Sequence, residues 1–325
     1  MKLKQIPVQT LDEFLSQIKN SNPTNLDLIS IVKAISVSAI HIKEIIETAP
    51  ISNMTGSTGK TNIHKEEIQL LDDAANTIFV ENLMKTQLIS HIVSEELHQP
   101  LHKPINTPSY FVAIDPIDGS SNITSSITIG SILGIWKLDK YQQSKDSLFI
   151  PQGNQMVAAI YTIYGPSTIL VIACDSGVNG FTLNTINKSF IHTYKDIKIP
   201  SECKYYSVNE SYYSQWTATT QKTISFLRDN YSLRYVGSLI ADFHRNLLTG
   251  GVFLYPENKD HPNGKLRLFY EVLPLSYIIQ KAGGIASTGK SNPLKIKPSD
   301  YHQKTPLIIG NKKIVTKILS MLEIN

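Results

Sequence analysis

The sequence predicts an α/β chain of the α+β kind, with helices packed on mixed β-sheets, and three changes of pattern support this fold class. Apolar residues recur at helical spacing over 11–18, 29–46 and 62–86. After Thr86 they fall into short runs of strand length instead. Beyond about residue 200, strand-like and helical segments alternate, which is typical of helices packed against sheets.

Strands of the N-terminal part are predicted at six apolar runs: 88–93, 110–114, 127–136, 156–164, 168–174 and 189–194. Two of these runs flank Tyr164-Gly165-Pro166-Ser167, a turn sequence that predicts a hairpin and therefore antiparallel pairing. The polar segment from Ile51 to Thr61 contains two glycines and predicts a mobile loop.

The C-terminal part follows a different pattern. Strands are expected at 204–208, 233–236, 252–255, 284–287 and 306–309, and helices at 216–229, 238–249, 272–282 and 312–323. The pattern changes near Asp196 to Pro200, so we expect two domains, 1–198 and 199–325.

Composition excludes several classes of function. The chain has 325 residues and a net charge of only +4, and it contains no run of five basic residues, so a nucleic-acid surface is not expected. Two cysteines without CxxC spacing favour a reduced, cytoplasmic compartment. We expect neither a signal peptide nor membrane insertion, since the run from Ile169 to Cys174 is too short to span a bilayer.

One short apolar run leads directly into the strongest chemical signal of the chain. Asp115 and Asp118 follow it, and Gly119, Ser120 and Ser121 come next. Carboxylates suit hard cations, and glycine allows close approach of the main chain to a bound group. The N–H groups of the two serines can then point at a phosphate. Together these residues predict metal-assisted phosphoryl chemistry, although Asp-x-x-Asp also occurs in ordinary solvated turns.

Two further acidic elements stand where apolar runs end, namely Glu95-Glu96 and Glu271. Grouping Glu95, Asp115, Asp118 and Glu271 would cost about 4 kcal/mol for each charge pair 4 Å apart at an effective dielectric near 20. Divalent ions would relieve this repulsion, and all-oxygen ligation favours Mg²⁺ or Mn²⁺ over zinc. The residues alone leave two other interpretations open: Glu271 as a charge at a helix start, and Glu96 as a solvated neighbour.

With these elements together, the chain resembles the class I fructose-1,6-bisphosphatases over most of its length, from about Val32 to Gly289. The central Asp-Pro-Ile-Asp-Gly motif by itself would fit the wider lithium-sensitive phosphatase superfamily, including inositol monophosphatases. Six segments in order carry the narrower resemblance: Ser94–Glu96, Asp115–Asn122, Ser207–Tyr212, Arg234–Ser238, Gly251–Pro256 and Gly264–Glu271.

The resemblance implies a layered αβαβα sandwich and a site for two or three Mg²⁺ ions per subunit, with Mn²⁺ as a substitute. It implies that Glu95 and Asp115 bridge ions and that Asp118 and Glu271 complete one site. The carbonyl of Ile117 would complete another. Glu66 falls near a family aspartate that can bind a further ion, but the residue type differs.

The same resemblance implies how the ester is cleaved. Glu96 would act as the general base for an in-line, metal-activated water, and Asp72 would help to hold that water. No protein nucleophile is needed, and the chain has no Gly-x-Ser-x-Gly motif.

Family positions also predict the substrate contacts. The turn at the central motif would bind the reacting end of the sugar bisphosphate, and a second set would hold the 6-phosphate that is not cut. Arg234 would reach into a neighbouring subunit's site, which implies a homo-oligomer, expected to be a tetramer. The residues of the turn are Asp118, Gly119, Ser120, Ser121 and Asn122, and those of the second set are Asn209, Tyr212, Tyr235, Tyr255 and Lys265.

Two features depart from simple expectations. Gly56 to Thr61 resembles the end of a P-loop, but Met54 stands where the pattern requires a glycine.

Many family members bind AMP near the N-terminus through a Gly-Thr-Gly-Glu-like turn and a Lys-Tyr pair. This chain has Lys19 to Thr24 in the first place and Ser109-Tyr110 in the second, so the phosphate-binding lysine is missing and AMP inhibition is either not expected or uses other residues.

We therefore expect a magnesium-dependent cytoplasmic fructose-1,6-bisphosphatase of gluconeogenesis that acts on a small sugar bisphosphate. Sedoheptulose-1,7-bisphosphatase activity, alone or in addition, is the alternative within the same chemistry. An inactive sugar-phosphate-binding regulator is the alternative from another class.

Overall fold

The computed structural model describes residues 9–21, 26–52, 54, 56–61, 67–103, 109–138 and 150–323. The helices within these ranges are α1 Leu11–Ser21, α2 Leu26–Thr48, α3 Leu70–Lys85, α4 Ala218–Asn230, α5 Leu239–Thr249, α6 Leu273–Lys281 and α7 Lys312–Leu322. The strands of the first half are β1 Ser57–Thr61, β2 Glu67–Gln69, β3 Ile89–Ser94, β4 Leu101–His102, β5 Ser109–Asp118, β6 Ile129–Leu138, β7 Met156–Tyr164, β8 Thr168–Cys174, β9 Gly177–Asn184 and β10 Ser189–Tyr194. Those of the second half are β11 Tyr205–Ser207, β12 Ser232–Leu233, β13 Gly251–Tyr255, β14 Leu266–Arg267, β15 Ile285–Ser287, β16 Lys304–Thr305 and β17 Leu307–Gly310.

The larger sheet has eight strands in the order β10-β9-β8-β7-β6-β5-β3-β4. Its long central run is antiparallel, and β3 pairs with β5 in parallel. The hairpin predicted at Tyr164 to Ser167 is confirmed, since it joins the antiparallel pair β7 and β8. The five-stranded sheet, in the order β12-β11-β13-β17-β15, also mixes parallel and antiparallel pairs.

Alternation along the strands builds the layers. In β5, Tyr110 and Val112 face the core shared with helices α1, α2 and α3, whereas Phe111 and Ala113 face a second core. That second core contains α5, α6 and one face of the five-stranded sheet. The opposite face of this sheet packs on α4 and α7. The order helix, sheet, helix, sheet, helix confirms the predicted αβαβα sandwich.

Three local predictions are corrected by the structure. The segment 57–61 was expected to be loop, yet it forms β1, which pairs antiparallel with β2. Of the helix expected over 62–86, residues 67–69 form β2 instead and the helix begins at Leu70, while residues 62–66 lie outside the described ranges. No strand was expected at β9, although it pairs with both β8 and β10. Main-chain hydrogen bonds define these polar or glycine-bearing strands, so apolar periodicity does not reveal them.

The strand at 57–61 also removes the P-loop interpretation, because a P-loop must lead directly into a helix. In the part of the chain described above, no helix is both long and apolar enough to cross a membrane.

Candidate active site

Strands β3 and β5 bring two acidic segments to one edge of the large sheet. They run in parallel with Ser94 opposite Ile114, and the Glu95 N–H donates to the Ile114 carbonyl at 3.1 Å. The carboxyl ends of parallel strands meet at the same edge. Asp115 therefore lies directly beside the turn that carries Glu95.

Asp118 ends β5 and is held by the start of α5. Its Oδ2 accepts hydrogen bonds from Ser238 Oγ at 2.7 Å and from the Ile240 N–H at 2.8 Å. The next residue, Gly119, has a φ of +85°, and a Cβ there would lie 2.6 Å from Ser238 Cβ. This close packing explains the glycine and fixes the carboxylate at a helix N-terminus, where negative charge is favoured.

Glu271 reaches the same place from the other half of the chain. It lies in a single π-helical turn, Leu268–Val272, between β14 and α6, and its Oε2 accepts from the Arg267 N–H. The Arg267 side chain pairs with Glu95, with 2.7 Å between Nη2 and Oε1. One arginine therefore connects two acidic segments.

Asp115, Asp118 and Glu271 form a compact carboxylate cluster, since one oxygen of each lies within 4.8 Å of the others. Burial, followed by repulsion from Glu95 and from the rest of the cluster, holds the pKa of Asp115 well above its usual range. Burial likewise raises the pKa of Glu271 to about 8 and that of Asp118 above its usual value. Such a site binds protons or cations readily.

The other predicted ligands differ in position. Glu95 is buried against Arg267 and is not part of the three-carboxylate group, although its charge acts on Asp115 and Glu271. Ile117 lies buried between the two aspartates in β5. Glu66 lies outside the described residues, so its predicted role stays a prediction.

Asp72 and Glu96 are both close to Glu95 but lie on different elements. Asp72 is buried in the first turn of α3, where burial and the charge of Glu95 raise its pKa to about 7. The Gln69 N–H donates weakly to it, at 3.4 Å. Glu96 is half-buried in the turn after β3, and its N–H contacts Ser94 Oγ at 3.4 Å.

A short 3₁₀ helix, Ser120–Ser125, begins directly after Gly119. Ser120 is half-buried and Ser121 is exposed at its start. The Asn122 side-chain amide reaches the Val236 carbonyl at 3.5 Å, which joins this turn to the segment before α5.

Neutral hydroxyl groups gather beside the carboxylate cluster. The rings of Tyr212 and Tyr255 lie 6.4 Å apart, and Asn209 hydrogen-bonds Tyr235. Burial raises the pKa of Tyr235 to about 12, and Asp118 is among the charges that add to the shift. The pKa of Tyr255 is also raised by burial, and Tyr212 and Glu271 add to it. This tyrosine pocket therefore adjoins the carboxylate cluster.

The two predicted basic residues lie at the rim. Arg234 is exposed, and its guanidinium lies over the Tyr205 ring at 5.4 Å and donates to the Leu233 carbonyl at 2.8 Å. Lys265 is half-buried just before β14.

Four residues that shape the site were not predicted from sequence. Ser238 and Arg267 hold carboxylates, as described above. Asp242 accepts from the Val236 N–H at 2.9 Å and pairs with Arg245 at 2.5 Å. Arg245 in turn donates to the Arg234 carbonyl at 3.0 Å, in the segment that carries Tyr235. Ser238 had a sequence signal, because serine is a preferred residue immediately before a helix. The three charged residues had none that distinguishes them from solvated surface.

Ser109-Tyr110, one of the two places where this chain differs from the AMP-binding pattern, lies at the start of β5, and Tyr110 faces the core shared with α1, α2 and α3. Ser109 and Tyr110 are buried at the start of β5, and Tyr110 lines a cavity of ≈320 Å³ between α1, α2 and the sheet. Residues 22–24 lie outside the described ranges. The expected absence of AMP inhibition stays a prediction.

Comparisons with known proteins agree with this geometry. A model of the fructose-1-6-bisphosphatase N-terminal domain matches residues 9–195, and one of the C-terminal domain matches residues 199–323. A class 1 fructose-1,6-bisphosphatase of Synechococcus sp. (strain JA-3-3Ab) is 39% identical over 315 residues, which are 95% of each chain. The cytosolic fructose-1,6-bisphosphatase of Arabidopsis thaliana is 38% identical, with 97% of this chain and 94% of that protein covered.

Among solved structures, the holo form of Leishmania major fructose-1,6-bisphosphatase superposes with a TM-score of 0.92 at 33% identity. The match covers 97% of this chain and 99% of that one. The T-state structure of the same enzyme gives a TM-score of 0.87 at 32% identity, with 98% and 100% covered. With matching halves, a matching fold and an acidic site where the two halves meet, the chain belongs to the class 1 fructose-1,6-bisphosphatase family.

Proposed function

We propose that this chain hydrolyses the 1-phosphate of fructose 1,6-bisphosphate to fructose 6-phosphate and inorganic phosphate, with Mg²⁺ as its cofactor. One observation carries the proposal: Asp115, Asp118 and Glu271 converge within 4.8 Å beside a pocket of tyrosine hydroxyls. A cation site next to neutral phosphate donors suits a substrate with one phosphate to cleave and another to hold.

The donor set fits a hard divalent cation. Asp115 Oδ1 is buried and has no hydrogen-bond partner within the described ranges, and Arg267 offsets only part of the repulsion around it. Carboxylate ligation favours Mg²⁺ or Mn²⁺. We assign two or three ions per subunit to Glu95, Asp115, Asp118, Glu271 and the Ile117 carbonyl. Glu66 is kept as a candidate ligand for the third ion.

When bound, such ions neutralise the phosphate and lower the pKa of the attacking water. The chain supplies the proton acceptor, which we assign to Glu96 because it lies in the turn next to Glu95. Asp72, buried at the start of α3, holds the water in place. Ser120 and Ser121 offer main-chain donors to the 1-phosphate, and Gly119 allows the close approach.

The unreacted 6-phosphate is assigned to the tyrosine pocket. Asn209, Tyr212, Tyr235 and Tyr255 supply neutral donors, and Lys265 adds a positive charge near the sugar. Asn122 is assigned to the sugar side of the turn, where its amide already contacts the Val236 carbonyl.

The exposed position of Arg234 supports a further part of the proposal. Within the described ranges its guanidinium donates to the Leu233 carbonyl and lies over the Tyr205 ring, and its planar donor fork suits phosphate. We infer that it completes the site of a neighbouring subunit in a homotetramer. We also propose a cytoplasmic location, a role in gluconeogenesis, and the domain division 1–198 and 199–325.

The test is phosphate release from fructose 1,6-bisphosphate, sedoheptulose 1,7-bisphosphate and inositol 1-phosphate, each with Mg²⁺ and with chelator. We expect Mg²⁺-dependent release, fastest from the fructose compound. Faster release from the sedoheptulose compound would transfer the assignment to that sugar. If no compound releases phosphate but the sugar bisphosphate binds, the chain is an inactive sugar-phosphate-binding regulator and not an enzyme.

A further inference from the structure

His302 occupies a position between the two segments that carry the acidic residues. It is half-buried just before β16, and its Nδ1 shares a hydrogen bond of 3.2 Å with the Tyr270 hydroxyl. The imidazole also donates a hydrogen bond to the main chain of Leu97. This bond raises the pKa of the ring, as a bond donated by the imidazole does. One side chain therefore contacts two separate loops.

Both contacted residues adjoin the acidic site. Tyr270 immediately precedes Glu271 in the π-helical turn, and Leu97 immediately follows the Glu95-Glu96 pair. These two segments are already joined by the ion pair between Arg267 and Glu95. The histidine provides a second connection between them, and it comes from a third part of the chain.

His302 is itself held firmly. The main-chain N–H of His302 donates to Asp300 Oδ1 at 2.7 Å, and the neighbouring Gln303 carbonyl accepts from the Leu268 N–H at 2.7 Å. On its other side, the buried Tyr301 ring packs on Phe269, with centroids 6.1 Å apart. With its main chain anchored this way, His302 can hold its side chain in a fixed position against both partners.

The ring is suited to bridging two groups. Burial lowers the pKa of His302, so the neutral imidazole prevails at neutral pH and offers one donor and one acceptor nitrogen. The Tyr270 hydroxyl can donate to the acceptor while the other nitrogen donates to the main chain at Leu97. A single tautomer satisfies both bonds.

We propose that His302 is a positioning residue that fixes the spacing between the Glu95-Glu96 turn and Glu271, and thereby sets the affinity of the site for divalent cations. The inference rests on the proposed metal-dependent hydrolysis. It adds a residue far from the motif that touches no reacting group and acts through the two loops that it joins.

The test is direct binding of Mn²⁺, followed by electron paramagnetic resonance, in the wild type and in His302→Phe. Phenylalanine keeps the ring but removes both hydrogen bonds. We expect Mn²⁺ affinity to fall about tenfold or more, and the Mg²⁺ concentration for half-maximal activity to rise by a similar factor. The KM for fructose 1,6-bisphosphate at saturating Mg²⁺ should stay close to the wild-type value, which a general loss of structure would not allow.

Two further variants sharpen the result. His302→Gln retains an amide donor and acceptor and should recover part of the affinity. Tyr270→Phe removes the hydroxyl partner alone, should show a smaller loss, and should add nothing to His302→Phe. If His302→Phe does not fold, the comparison of Tyr270→Phe with His302→Gln decides, because unchanged Mn²⁺ affinity in both would overturn the proposal.

The matched control is His192→Phe. His192 also makes two side-chain hydrogen bonds, to Gln9 at 3.0 Å and to Asn179 at 2.9 Å, but it lies on β10 at the opposite edge of the large sheet. Its loss should leave Mn²⁺ affinity unchanged. Wild-type protein that binds no Mn²⁺ and releases no phosphate would reject the proposed function itself. Wild-type activity with unaltered Mn²⁺ binding in His302→Phe would reject this inference alone.

Discussion

The carboxylate cluster and the tyrosine pocket lie side by side but differ in charge and in burial. The cluster concentrates charge in the interior, where Asp115 is 1% exposed and Glu271 is 4% exposed. The pocket places neutral hydroxyls nearer to solvent, and Tyr235 is 37% exposed. Burial strengthens electrostatic interactions, so the proposed function assigns ion binding to the buried charges. Hydroxyl donors function well in contact with water, so the same proposal assigns phosphate recognition to the more exposed tyrosines.

The two regions also differ in what supports them. The acidic residues stand at the ends of β3 and β5 and in the turn before α6, which are packed elements. Among the tyrosines, Tyr255 ends β13 and Tyr212 lies in the 3₁₀ helix Glu210–Gln215. Tyr235 lies on the segment before α5, whose main chain is held by Asp242 and Arg245 of that helix. Repulsion within the cluster requires rigid support, whereas neutral donors impose no such demand. Mutations should therefore separate the two regions by both the size and the kind of effect.

The largest effect is expected from Asp115→Asn. Removal of a central carboxylate should lower kcat/KM by about 10³-fold or more, since metal ions contribute several kcal/mol of charge stabilisation. The same change should raise the melting temperature of the chelated protein, because it relieves buried repulsion. Asp73→Asn, an exposed neighbour on α3, serves as the control. A lower melting temperature would show that repulsion does not dominate the cluster.

Glu96→Gln should act on turnover rather than on ion binding. Loss of a general base typically lowers kcat by about 10²-fold or more, while Mn²⁺ affinity should change far less. Steady-state kinetics and direct Mn²⁺ titration separate the two effects. Near-wild-type turnover in this variant would remove Glu96 from the mechanism.

Arg234→Ala tests the rim, and its effect should be smaller. We expect the KM for fructose 1,6-bisphosphate to rise about tenfold, in line with loss of a charged hydrogen bond, with no change in the Mg²⁺ requirement. Lys222→Ala, an exposed cation on α4, is the control. Mixing Arg234→Ala with Asp115→Asn subunits should restore activity if the arginine serves a neighbouring site. Failure to restore it would place Arg234 in its own subunit's site.

The last prediction concerns the pH dependence of stability and not catalysis. Asp72 has its pKa raised to about 7 in the folded chain, against about 3.9 for an unfolded aspartate. The folded state therefore binds an extra proton between these values, so its stability declines as pH rises from about 4 to about 7 and levels off above that. In chelator, Asp72→Asn should remove this decline, which amounts to about 2–3 kcal/mol between pH 5 and pH 8 for a pKa raised this far. Urea unfolding at both pH values measures the difference, and equal slopes for the variant and the wild type would contradict it.

Local patterns predicted much of the architecture. Apolar runs located β5, β6, β7 and β8, and a Gly-Pro turn predicted the hairpin between the last two. Prediction failed at β1 and β9, whose polar and glycine residues carry no alternation. Backbone pairing with β2, and with β8 and β10, stabilises these two strands, and such pairing does not depend on an apolar pattern.

The candidate site was likewise predicted only in part. Asp115 and Asp118 were predicted from their spacing after a strand, Glu95-Glu96 and Glu271 from their position at the ends of apolar runs, and the tyrosines from the family resemblance. Neither source indicated that Ser238, separated by 120 positions, donates to Asp118. Nor did either reveal the pairing of Arg267 with Glu95.

By itself, the amino-acid sequence determined which segments bury apolar faces and which chemical groups follow them, because periodicity and turn chemistry act over a few residues. The tertiary structure alone decided which charges meet, how deeply they are buried and which side chains hold them. Coulomb interactions, desolvation and hydrogen bonds depend on separations of a few ångströms in space, and those separations arise only when distant parts of the chain pack together.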